Sequence, residues 1–177
     1  PEGAKYIRID VDPVQSLNLA TPDVHLVTTA KRALAGLAER ASRHNRKRDS
    51  REDELNAAKK AKEDEYFTLE PLASYAKNLR RELDDDGIVC WGVTQMGFYA
   101  QYGFPVYGPR TSIHAGYQGT LGYGFPTALG AKVAHPDKQV VSVTGDGGFM
   151  FAANELATAV HHKINLVTVV FNDSHFG

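Results

Sequence analysis

The feature that most constrains this chain is one contiguous pattern near the end of its 177 residues. A β-branched run, Val140-Val141-Ser142-Val143, passes straight into Thr144-Gly145-Asp146-Gly147-Gly148. A helical segment from Phe151 to His162 follows, then a second apolar run from Ile164 to Phe171, closed by Asn172-Asp173. Strand-helix-strand crossovers of this kind are right-handed, so both strands are expected to finish at the same edge of one parallel sheet. Asp146 and Asp173 would then stand near each other beyond the carboxyl ends of their strands, where open α/β sheets bind ligands. Gly145, Gly147 and Gly148 carry no side chains, so backbone N–H groups there can approach a phosphate closely. The helix that follows turns the positive end of its dipole to the same place. Two carboxylates beside a polyphosphate pocket suit magnesium, a hard octahedral ion whose shell is completed by protein and phosphate oxygens.

The segments upstream extend the alternation. Tyr6 to Val11 reads as a short strand, and Thr28 to Ala41 as a helix with Leu34, Leu37, Ala38 and Ala41 at helical spacing. From Glu39 to Glu65 the chain is dominated by both signs of charge, Arg43, Arg46, Lys47, Arg48 and Lys60 among Glu52, Asp53 and Asp64. That mixture predicts a solvated linker or an exposed helix. Thr68 is placed to cap a helix running to about Leu83, and Asp84-Asp85-Asp86-Gly87 breaks it. Ile88-Val89-Cys90-Trp91 is a buried-strand pattern, a helix starts near Thr94, and Thr111 to Gly119 reads as a connection. Pro126 to His135 is a helix rich in small residues, able to lie close on a sheet. Strands alternating with helices predict a three-layer α/β/α sandwich with a mainly parallel sheet. The expected organisation is a strand-plus-helix region over 1–40, a charged linker over 41–66, and the main α/β domain over 67–177.

Composition excludes several function classes. Twenty basic residues stand against 21 acidic ones, so there is no electrostatic footprint for nucleic acid or an anionic membrane. Cys90 is the only cysteine, which rules out an internal disulfide and fits a reducing, cytoplasmic setting. No apolar run approaches membrane-spanning length.

Gly145-Asp146-Gly147, followed after a helix and a strand by Asn172-Asp173, resembles the thiamine diphosphate motif of Gly-Asp-Gly and a later Asn-Asn pair. The glycine-rich stretch Gly116-Tyr117-Gln118-Gly119-Thr120-Leu121-Gly122-Tyr123-Gly124-Phe125-Pro126 is similar to that of the acetolactate synthase and benzoylformate decarboxylase group. The likeness extends through Trp91-Gly92-Val93-Thr94-Gln95 and back to Ile7-Arg8-Ile9-Asp10-Val11-Asp12-Pro13, which looks like the end of that family's central domain. It implies that residues 1–40 are a remnant of the central domain. It also implies that 67–177 are a thiamine diphosphate-binding domain, incomplete at its C-terminus.

Position by position, the resemblance implies that Asp146 and Asp173 ligate magnesium by their side chains and His175 by its backbone carbonyl. Asp173 stands where the family has a second Asn, and a one-residue shift of register would make Asn172 the ligand instead. Gly145, Gly147, Gly148 and Phe149 would line the diphosphate, with Thr94 and Gln95 beside them. The Gly119 carbonyl would meet the cofactor's amino group, and Leu121 would wedge under the cofactor and hold it bent. Thiamine diphosphate and Mg2+ are thus the expected cofactors and a 2-oxo acid the expected substrate, in a dimeric or tetrameric parent enzyme. The family's activating glutamate lies on a pyrimidine-binding domain of a partner subunit, and nothing in this chain resembles that domain. No catalytic residue is therefore expected here, and the chain alone is expected to be inactive.

Three other readings exist. Asp10-Val11-Asp12-Pro13-Val14 resembles the nucleophile motif of haloacid-dehalogenase-type phosphohydrolases, but that fold wants Asn-Asp after Gly-Asp-Gly-x, and Phe149-Met150 follows Gly148 here. Gly122-x-Gly124 lacks the third glycine of a nicotinamide fingerprint. A scaffold that keeps the fold without binding cofactor is the non-enzymatic alternative.

Overall fold

A computed structural model describes residues 3–14, 21–45 and 49–175. Arg46, Lys47 and Arg48 of the charged segment lie outside the described residues. The chain divides into two compact units, one up to Arg51 and one from Glu52 onward.

In the first unit, strands β1 (Ile7–Asp10) and β2 (Val24–Val27) pair in parallel, Ile7 opposite Val24 and Asp10 opposite Val27. Helix α1 (Ala30–His44) follows, and the Thr29 hydroxyl caps it by accepting from the Arg32 N–H at 3.4 Å. The helix runs three residues past Ala41 into the charged segment. β2 was not anticipated; its pairing partner, β1, lies 17 residues earlier in the sequence.

The second unit opens with α2 (Glu52–Tyr66), which buries none of its residues. It is supported locally, by Glu52, Asp53 and Glu54 in its first turn and by a Lys60–Asp64 ion pair at 3.0 Å one turn apart. Helix α3 (Leu72–Glu82) starts four residues later than the predicted Thr68 cap. Pro71 takes the cap position, having no N–H to leave unsatisfied, and the Thr68 hydroxyl instead donates to the Glu65 carbonyl at 2.7 Å. Buried Arg80 closes the far end of α3. Its guanidinium donates to the Leu83 and Asp84 carbonyls and lies over the rings of Phe104 and Tyr107.

Four strands then form one parallel sheet: β3 (Ile88–Trp91), β4 (Ser112–His114), β5 (Val140–Gly145) and β6 (Val167–Phe171), in the order β4-β3-β5-β6. β4 is a correction, since Ser112 to His114 reads as loop in sequence. β3 and β5 are buried along their whole length. Their side chains alternate between two layers. Val89, Trp91, Val141 and Val143 pack with Ala73 and Ala76 of α3 and with Met96, Tyr99 and Ala100 of α4 (Gln95–Gly103). Ile88, Cys90 and Val140 pack on the other face against Ala128 of α5 (Gly124–Ala134). This is the expected three-layer α/β/α arrangement. Burial pushes the Cys90 thiol up to about 12, so it stays protonated and acts as a small apolar side chain.

A short helix, α6 (Asp146–Met150), begins at the end of β5, and the helix expected over Phe151 to His162 is the shorter α7 (Glu155–His161) that follows it. Both pack beside α5. Gly147 and Gly148, expected as loop, are therefore in the first turn of a helix. Gly148 is buried there, close to Thr144 and Leu121, where a larger residue would press on both.

Glycines let α4 and α5 close onto the end of β3. A Cβ on Gly97 would fall 2.3 Å from the Gly92 carbonyl oxygen, and one on Gly124 would fall 2.8 Å from the Gly92 nitrogen. Gly130, on the exposed side of α5, has nothing within 4 Å of its Cβ position. The two kinds of glycine are separable by substitution. Gly130→Ala is expected to stabilise the chain by about 0.5–1 kcal/mol through helix propensity. Gly97→Ala gains the same term but overpacks backbone against backbone, costing about 1–3 kcal/mol, and is expected to be destabilising overall. Denaturant titration of the two variants checks the opposite signs.

Candidate functional site

From β3 the chain crosses through α4 to β4 on one side, and from β5 it crosses through α6 and α7 to β6 on the other. The connections leaving the carboxyl ends of β3 and β5 thus diverge between two adjacent strands. Open parallel sheets form their ligand crevice at such a switch point. Here it lies between Gly92-Val93-Thr94 and Gly145-Asp146-Gly147-Gly148.

Short distances hold the two loops together. A Cβ on Gly145 would be 3.3 Å from the Thr94 hydroxyl oxygen, and one on Gly148 would be 3.8 Å from the Val93 carbonyl oxygen and 3.7 Å from Leu121 Cδ2. Thr94, Gly145, Gly148 and Leu121, taken from three separate stretches of sequence, are therefore neighbours. Phe149 packs edge-on against Phe125, with ring centroids 5.3 Å apart, which anchors α6 to α5. Gln95 is the exposed first residue of α4. Gly119 is exposed in the left-handed region at φ 57°, with open space where a Cβ would project.

β5 and β6 are paired in parallel, Gly145 directly opposite Phe171. Asp146 is one residue beyond that pair and Asp173 two residues beyond it, so both follow the same edge of the sheet. Asp146 is half-buried, and among the described residues its carboxylate has no recorded hydrogen bond or ion pair. Asn172 and Asp173 each start a tight turn. The Asn172 side-chain oxygen accepts from the Ser174 N–H at 2.8 Å, and Asp173 Oδ1 accepts from the His175 N–H at 3.0 Å. The His175 ring donates from Nδ1 to the Asp173 carbonyl at 2.7 Å. Among the described residues no group of three or more His, Cys, Asp or Glu side chains could hold a metal ion. A cation bound here would need oxygens from backbone and ligand as well, which is the donor chemistry of a magnesium–diphosphate pair rather than of zinc.

A cavity of about 430 Å3 lies elsewhere. It is lined by Leu79, Leu83, Lys138, Val140 and Val167, at the amino ends of β5 and β6. A smaller cleft opens at the carboxyl end of β3 and β4, between Gly92, Val93, Phe98, Gln101, His114 and Gly119.

Residues 92–177 match the family described as thiamine pyrophosphate enzyme, C-terminal TPP binding domain. The chain resembles the thiamine pyrophosphate enzymes over those residues, just under half of its length. It is similar over 98% of its length to the probable acetolactate synthase large subunit of Methanococcus aeolicus (31% identical) and to the acetolactate synthase large subunit of Haemophilus influenzae (33% identical). Over its whole length it is 30% identical to the probable 2-ketoarginine decarboxylase of Pseudomonas aeruginosa. The chain spans about a third of the length of these relatives, 32% in each case. Asp10 lies outside the residues matched by the family. Its carboxylate is held below the usual range by the Asp12 N–H at 3.1 Å and by Arg8 at 3.2 Å, which is the chemistry of a strand-to-turn boundary and not of a free nucleophile.

One further group at this edge is titratable. Burial holds the His114 imidazole below its ordinary value of 6.5. Through that group the unfolded chain binds more protons than the folded one below about pH 6.5, so stability is full above that pH and is lost as pH falls. Asp10 and Asp23 are likewise lowered, below 3.8, by hydrogen bonds to their charged forms, so their losses come at lower pH. Thermal melts from pH 7.5 to 5 are expected to show a fall in stability that is smaller in His114→Gln.

Proposed function

We propose that this chain forms the diphosphate- and magnesium-binding part of a thiamine-diphosphate-dependent enzyme acting on 2-oxo acids, related to acetolactate synthase. The observation that carries the reading is the parallel pairing of β5 with β6, which leads Asp146 and Asp173 past one sheet edge at the switch point. The residues there fit the group. Asp146 and Asp173 would ligate magnesium by their side chains and His175 by its backbone carbonyl. The N–H groups of Gly147, Gly148 and Phe149 would meet the diphosphate, Thr94 and Gln95 would flank it, the Gly119 carbonyl would meet the amino group, and Leu121 would support the ring. Bound there, thiamine diphosphate would supply the electron sink that 2-oxo acid chemistry needs. The protein's share is positioning and fixed dipoles.

The relatives' names support a 2-oxo acid substrate, since they include acetolactate synthases and a 2-ketoarginine decarboxylase. The partner in this reading is a pyrimidine-binding domain from a second subunit. Phe98, Tyr102, Tyr117 and Phe151, all exposed, offer an apolar surface for it in a homodimer or homotetramer.

Calorimetry tests the proposal. Thiamine diphosphate is expected to bind in the presence of Mg2+ and to lose its heat when EDTA is added. Asp146→Asn is expected to weaken binding by about 10–100-fold, whereas Asp10→Asn leaves it unchanged. The chain without a partner is expected to show no decarboxylation of pyruvate. Binding that ignores both the metal and Asp146 would contradict the reading.

A further inference from the structure

Trp91, Ser112 and His114 form a connected set at the cleft beside the switch point. Trp91 and His114 are register partners on β3 and β4, and their rings stack with centroids 5.9 Å apart at 14°. Trp91 is fully buried and braced edge-on by Phe104 at 5.0 Å, so its ring gives the imidazole a fixed surface. Trp91 Nε1–H donates to Ser112 Oγ at 3.0 Å, and Ser112 Oγ is 3.1 Å from His114 Nε2.

Donor chemistry distinguishes the two directions of the second bond. An indole N–H can only donate, so the Ser112 oxygen accepts from Trp91 with one lone pair and still has its own proton to give. Among the described residues His114 Nε2 is the acceptor within reach of that proton. Donation to Nε2 uses the Ser112 proton inside the set and puts the ring proton on Nδ1, whereas the reverse direction leaves the Ser112 proton without an acceptor in the set. Nδ1 has no recorded protein partner, and it is not among the buried unpartnered side-chain atoms.

We infer that His114 is a ligand-positioning residue, held by Trp91 and Ser112 as the neutral Nδ1–H tautomer, with that N–H offered to an oxygen of a small 2-oxo acid in the cleft. The cleft lining explains the ligand class. It contains no charged side chain, and apart from the indole N–H already spent on Ser112, Gln101 and His114 are its polar side chains. A neutral donor in an apolar lining suits a carbonyl or carboxylate oxygen of a small acid and gives nothing to a cation. Burial, which disfavours the imidazolium, acts in the same direction. The substrate class rests on the proposed function above, whereas the tautomer does not.

Long-range 1H–15N NMR of the labelled full chain at pH 7.5 reads both halves. His114 is expected to show a protonated Nδ1 and an unprotonated Nε2, and Ser112→Ala is expected to return it to a mixture of tautomers. Added pyruvate is expected to move the His114 Nδ1 signal, with an apparent affinity about three- to tenfold weaker in Ser112→Ala. A protonated Nε2 in the unsubstituted chain would overturn the inference. So would pyruvate leaving the His114 ring unmoved at saturating concentration, even where calorimetry shows magnesium-dependent cofactor binding. The converse, a correct tautomer and a pyruvate response without cofactor binding, would uphold His114 and sink the thiamine diphosphate reading alone.

Discussion

The carboxyl edge of the sheet depends on how closely two helices approach the end of β3. Gly92 meets the backbone of Gly97 in α4 and of Gly124 in α5 at distances no side chain could share. With both helices drawn in, β3 lies flush beside β5, and the loop carrying Thr94 lies against Gly145. The crevice between the diverging loops is therefore set by backbone contact rather than by long side chains, which is how a rigid phosphate site is built. Apolar burial on both faces of β3 and β5 then fixes the strands whose ends the crevice uses.

Within this frame the chemistry is divided among a few short segments. The first turn of α6 carries unpaired backbone donors and Asp146. The end of β6 carries the paired turns of Asn172 and Asp173. The stretch through Gly119 and Leu121 has open space at Gly119 and sets Leu121 beside Gly148. At the β4 side, the Trp91–Ser112–His114 set adds a neutral side-chain donor. Cation, diphosphate, ring and small acid would each meet a different segment, so single substitutions can separate their contributions.

Much of this was legible in the sequence, for identifiable reasons. Ile88 to Trp91 is apolar throughout and Val140 to Val143 is apolar but for Ser142, the pattern of strands buried on both faces, and both are central strands. The placement of Gly145, Asp146 and Asp173 at the ends of two paired strands was legible because one crossover fixes where its two ends go. β4 and β2 were not: β4 is only three residues long, and the pairing of both is decided by neighbours distant in sequence. Missing β4 hid the strand order, and with it the switch point and the contact of His114 with Trp91. The start of α6 at Asp146 was masked by glycines that read as loop, although their lack of side chains is what lets the helix begin there. Thr68 misled because its cap chemistry is right but Pro71, three residues on, sets where the helix begins.

The central claim is that the ends of β5 and β6 share one divalent cation together with a diphosphate. Paramagnetic broadening in 1H–15N NMR, with Mn2+ replacing Mg2+ in the presence of thiamine diphosphate, measures this most directly. The account predicts that the amides of Gly147 and Gly148 and those of Ser174 and His175 broaden together at the same Mn2+ concentration. Broadening confined to one of the two strand ends, or centred away from both, would contradict it.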